Sequence, residues 1–104
     1  MNTYKRLKEA IEQRIEFVLQ GMDKDSGLNE CFDVWVALSE RDTETPESEK
    51  REKAREYAEI AEEILVDPST KNIMSWTFSL IALRQAAGMA EENEEKAQLY
   101  HIAP

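Results

Sequence analysis

The segment IMSWTFSLIALRQAAG, residues 73–88, is the least charged stretch of a chain in which 34% of residues are charged. It contains Trp76, one of two tryptophans, and a single charge, Arg84. Ile73, Trp76, Leu80, Leu83 and Ala87 recur at spacings of three and four, the period of a helix. Phe78 and Ile81 widen this stripe. A helix that is apolar nearly all round is normally a buried one. Gly88 stands where glycine, free to adopt the left-handed conformation, commonly ends a helix. The segment therefore predicts a central helix at about 68–88, with Asp67 as its N-cap, Pro68 in its first turn and the other helices laid against it.

Working outward, Tyr4, Leu7, Ile11, Ile15, Val18 and Met22 form an amphipathic stripe after Thr3, a capping residue type. Gly21 and Gly27 bracket the break that follows. A second helix is expected from about Leu28 to Arg41, with Leu28, Cys31, Trp35 and Leu38 inward and Phe32 and Val34 at its edges. Residues 42–46 read as a turn, with Thr45 as N-cap and Pro46 as first residue of a third helix reaching Val66. The first half of that helix has no apolar face and is expected to project into water. Its second half carries Ala54, Tyr57, Ala58, Ala61, Ile64 and Leu65, and the small alanines admit a close neighbour. After four acidic residues, Ala97, Leu99, Tyr100 and Ile102 suggest a short last helix. Strand-type alternation, repeats and low-complexity segments are absent. The fold class is all-α, a small bundle of four to five helices in a single domain, residues 1–104.

The formal net charge of −9 disfavours direct binding to nucleic acid or anionic membranes and favours a basic protein surface. No apolar run is long enough to span a bilayer. The N-terminus lacks the uninterrupted apolar stretch of a secretory signal, so a cytoplasmic protein is the expectation. One cysteine, Cys31, excludes an internal disulfide and a Cys-rich metal site. It falls on an inward stripe, where cysteine acts as a small hydrophobe. His101, the one histidine, lies near the chain end with no partner assignable for a triad or a metal site.

Glu9-x-x-Glu12 followed by Glu30-x-x-Asp33 resembles the acidic motif of the all-α nucleotide pyrophosphohydrolases of the MazG type. That resemblance implies Mg²⁺ held on inward-facing carboxylates, a ligand type Mg²⁺ prefers. Helical geometry points the other way. At about 100° per residue, Glu9 lies roughly 160° and Glu12 roughly 100° from the centre of the first apolar stripe. Asp33 is about opposite the second stripe and Glu30 roughly 120° from it. All four are expected to face water.

Between Glu40 and Glu63 stand ten acidic and five basic residues. They read as a solvated face or, functionally, as an acidic ridge resembling a phosphate backbone, although the charge is too mixed for close mimicry. Docking to a protein through polar and aromatic groups is the other functional reading. Its candidate anchors are Trp35, Tyr57, Trp76 and Tyr100, since aromatic side chains dominate hot spots. An aromatic on a bundle's inner stripe is more often core. Asp67-Pro68 joins the candidates, because an X-Pro bond reaches the cis form at little cost and would suit a host prolyl isomerase.

Residues 4–15, YKRLKEAIEQRI, and the turn VDPST at 66–70 resemble the anti-RecBCD (Abc) proteins of lambdoid phages, as does most of the chain. The resemblance implies a non-enzymatic phage protein that binds the host RecBCD helicase–nuclease and inhibits or redirects it, protecting phage DNA ends and favouring phage recombination. No cofactor is implied, and no site residue transfers position by position. A helical adaptor without an enzyme target is the remaining expectation, and it requires an exposed apolar face.

Overall fold

The structure, a computed structural model, describes residues 3–21 and 27–89. Among them are four helices and no strand: α1 (Thr3–Gln20), α2 (Leu28–Arg41), α3 (Glu47–Val66) and α4 (Ile73–Ala86). The protein is a small all-α bundle. Met22 and the expected last helix, with Tyr100 and His101, lie outside the described residues. α1 packs chiefly on α2, α3 packs on α4, and α2 joins the two pairs through α4 and, more lightly, α3.

The hub of the bundle is α2 rather than the apolar segment 73–86. Leu28, Phe32 and Trp35 are fully buried. Phe32, expected at the edge, is at the centre, its ring tilted against Tyr57 at 5.1 Å and edge-on to Trp76 at 6.0 Å. Trp35 meets the Tyr57 ring edge-on at 5.2 Å. This aromatic cluster ties α2, α3 and α4. Removing one such side chain, as in Phe32→Ala, costs about 3–5 kcal/mol. On α3, Ala54, Ala58 and Ala61 are buried, and their small side chains admit the close approach of α4.

The burial of α4 is one-sided. Trp76, Ser79, Leu80, Leu83 and Ala87 face inward, whereas Ile73, Met74, Phe78 and Ile81 are 60%, 73%, 65% and 43% exposed. The helix carries apolar residues on both sides, and the bundle covers one. It also starts later than expected. Asp67 follows the end of α3 and accepts hydrogen bonds from the Ser69 N–H (2.9 Å) and Oγ (2.7 Å). The Thr70 N–H donates to the Asp67 carbonyl at 3.0 Å, closing a β-turn around Pro68. Asn72, at φ 60°, leads into α4 instead of Asp67. The far end matches expectation: Gly88 has φ 75°, and its N–H and that of Met89 donate to the carbonyls of Gln85 (3.0 Å) and Arg84 (2.8 Å). This is the Schellman arrangement, which satisfies the last free carbonyls of the helix.

The turn between α2 and α3 holds a buried polar cluster. Asp42 is 0% exposed. Its carboxylate pairs with Lys8 Nζ of α1 at 2.8 Å and accepts from the N–H groups of Glu44 (3.0 Å) and Thr45 (3.2 Å) and from Thr45 Oγ1 (2.5 Å). Lys8 also donates to Thr45 Oγ1 at 3.1 Å. Lys50 of α3, 7% exposed, donates to the carbonyls of Ser39 (3.0 Å) and Asp42 (2.7 Å). A cation there satisfies free carbonyls at the C-terminus of α2 and opposes the helix dipole. Thr45 is thus occupied by Asp42 and Lys8, and Pro46 takes the N-cap position of α3. The first half of α3 does not project into water as a whole, because Lys50 anchors it. No helix among the described residues is long and apolar enough to cross a membrane.

Candidate functional site

Glu9 and Glu12 of α1 stand across a cleft of about 600 Å³ from Glu49, Glu52 and Glu56 of α3, with Trp35 of α2 as its floor and Thr45 at its rim. Lys5, Lys8, Lys50 and Lys53 also line it. Three of these lysines are committed. Lys8 pairs with Asp42, Lys50 with Glu47 at 3.1 Å, and Lys53 with Glu56 at 3.7 Å. With Asp42 and Glu47 counted beside their lysines, seven carboxylates face four ammonium groups, so three negative charges stay uncompensated.

The core behind this cleft holds two donors without an acceptor among the described residues. Trp35 Nε1 and Tyr57 Oη are buried and have no hydrogen-bond partner. Burial pushes the Tyr57 phenol well above its ordinary range, and the carboxylates of Glu12, Glu16 and Glu56 push it further. Glutamates of α1 and α3 therefore both act on the phenol. Asp42 shifts the opposite way. Burial pulls its carboxyl upward, but the bonds from Lys8, Thr45 and the two backbone N–H groups outweigh that and hold it far below the usual carboxylate range. Asp42 is thus a fixed anion that positions Lys8 on the cleft wall.

The pyrophosphohydrolase pattern does not assemble. Glu9 and Glu12 line the cleft, whereas Asp33 accepts from Ser79 Oγ of α4 at 2.7 Å. On α2, Asp33 lies about 160° and Glu30 about 140° around the helix from Trp35, the residue that faces the cleft. Among the described residues no three His, Cys, Asp or Glu side chains come together as metal ligands.

The aromatic anchors are corrected too. Trp35, Tyr57 and Trp76 are 0%, 3% and 2% exposed and form the core cluster, because helix packing turns their stripes inward. Tyr100 lies outside the described residues. Asp67 and Pro68 are exposed in the α3–α4 turn, and their peptide bond is trans. Cys31 is half-buried, and burial raises its thiol pKa.

The buried Lys8 and Lys50 and the cleft above them escape a reading by residue type, since lysine marks a solvated face. One signal was present. Lys8, Ile11, Ile15 and Val18 step by three, four and three, and this is the buried line of α1, whereas Tyr4 and Leu7 are 37% and 48% exposed. No protein family, no curated protein and no solved structure matches the chain.

Proposed function

We propose that this chain is a non-catalytic protein-binding module that receives a basic segment of a partner in the cleft between α1 and α3. The observation that carries this reading is the set of five glutamates on facing walls of one cleft. A basic peptide segment supplies the complement, cationic side chains for the glutamate walls. A free anion is repelled by the same rim. The resemblance to anti-RecBCD proteins gives the target: the host RecBCD helicase–nuclease, a DNA-handling enzyme with basic surfaces. Binding there, in the bacterial cytoplasm, inhibits or redirects the enzyme and spares phage DNA ends.

The test is capture of partners from bacterial lysate on tagged protein, followed by nuclease and helicase assays with purified RecBCD. Wild-type protein is expected to retain RecBCD at low salt and release it at high salt. The Glu12→Lys/Glu52→Lys variant is expected to associate roughly tenfold more slowly, since steering by opposite charge is reversed. Unchanged nuclease and helicase activities at saturating protein refute the target. Binding that is indifferent to both salt and the charge reversals refutes the cleft.

A further inference from the structure

The exposed side of α4 has a different chemistry from the cleft. From Ile73 to Leu83 there is no charged residue, in a chain with net charge −9. Met74, Phe78 and Ile81 lie on the side turned away from Trp76 and Leu83, and Ile73, the first residue of the helix, adds to the exposed apolar surface at its end, all four being at least 43% exposed. Together they offer on the order of 400 Å² of apolar surface, within the size range of patches on single proteins that prove functional.

The order of residues on this face is self-complementary. Met74, Thr77, Phe78 and Ile81 follow the spacing of a helix–helix seam. Reversed about the midpoint between Thr77 and Phe78, the seam places Met74 against Ile81 at each end and Phe78 over the smaller Thr77 at the centre. An antiparallel pair of α4 helices related by a two-fold axis therefore sets Phe78 on the smaller Thr77 at its centre and apolar side chains on each other at its ends, with no charge between them. Such a contact is isologous and closes on itself.

Other occupants fit less well. A basic partner finds no carboxylate on this face. An anionic membrane is repelled by the net charge, and interfacial helices carry lysines and arginines along their polar side, whereas α4 has Arg84 alone. We propose that the Met74–Ile81 face of α4 is the interface for a second copy of this chain, packed antiparallel. Each copy contributes about half the surface of a standard protein–protein interface, so the dimer is a weak one, with a dissociation constant of about micromolar order or above. Two copies of charge −9 also repel, so screening by salt strengthens the dimer. Binding of a basic partner in the cleft weakens under the same change, which separates the two readings.

Sedimentation of the full chain over about 1–500 µM, at low and high salt, tests the proposal. The expected result is a monomer–dimer equilibrium that tightens at high salt and weakens at least about tenfold in Phe78→Glu, with helix content unchanged because Phe78 lies 65% exposed. Met74→Glu and Ile81→Lys are each expected to weaken association. Mixed in equal amounts they are expected to restore it, since the antiparallel pairing sets the two changes opposite one another at one end and leaves the other end unaltered. A monomer at every concentration overturns the proposal. A dimer indifferent to Phe78→Glu overturns it as well, and failure of the mixture overturns the antiparallel pairing.

Discussion

Replacing Asp42 by Asn probes the buried cluster that holds α1, α2 and α3 at one end of the bundle. Asn retains a carbonyl oxygen for the N–H groups of Glu44 and Thr45, so these two bonds survive. What is lost is the bond from Thr45 Oγ1 to the second carboxylate oxygen and the negative charge beside Lys8, 2.8 Å away in a pair whose side chains are 5% and 0% exposed. Breaking a buried pair from one side costs about 3–5 kcal/mol, because the other charge is left uncompensated. Lys8 lines the cleft, so solvent is one side chain away, and screening places the expected loss nearer 2–3 kcal/mol. Against a total of about 5–15 kcal/mol for a domain, that is a large share. The assay is urea denaturation followed by tryptophan fluorescence. It also has a signature in pH. The folded state holds the Asp42 carboxyl below its unfolded value, so the contribution is complete above about pH 4 and is lost as pH falls toward the folded value. The gap between wild type and Asp42→Asn therefore narrows below pH 4, by at most about 1.4 kcal/mol per pH unit. A gap under about 1 kcal/mol at pH 7, or one that does not narrow in acid, refutes the account.

Four further outcomes are expected. Tyr57→Phe removes a buried hydroxyl with no partner and is expected to leave stability unchanged or raise it by up to about 1 kcal/mol in thermal denaturation. In an absorbance titration, Tyr57 is expected to ionise only well above the ordinary phenol range near about pH 10, and ionisation together with a free tyrosine contradicts its burial. Gly88→Ala is expected to destabilise by about 1–2 kcal/mol, because φ 75° places a Cβ in the left-handed region even though that Cβ meets Arg51 only at an ordinary contact distance of 3.8 Å. Cys31 is expected to react with a thiol reagent at pH 7 more slowly in the folded than in the denatured protein, read by absorbance, since burial disfavours the thiolate.

Much of the architecture was legible in the chain. The limits of α2 follow from Gly27 and the turn at Asp42, and the stop of α4 follows from Gly88, because both depend on local backbone preference. The alanine face of α3 was legible for the same reason that it packs, its small side chains. The role of α4 was not, because a helix apolar on two sides carries no directional signal, and only tertiary packing decides which side is covered. The start of α4 was misplaced because Asp67 offers its side chain equally to a helix N-terminus and to an Asx turn, and Ser69 takes it. The cleft was least legible. Its walls come from helices about forty residues apart in sequence, and its floor, Trp35, announces only a core.

The pairing of each helix with its neighbour in sequence has a kinetic consequence. α1–α2 and α3–α4 are two hairpins whose internal contacts close over short loops, and the docking of α2 on α4 is the main long-range event. A chain of this topology has low contact order, and such chains fold in microseconds to milliseconds. The turn at Asp42 is the hinge between the hairpins. Once Lys8 from one side and Lys50 from the other have closed on it, the two halves can no longer separate without uncovering a charge. The same three residues that set the static shape therefore also fix the point at which the two hairpins meet.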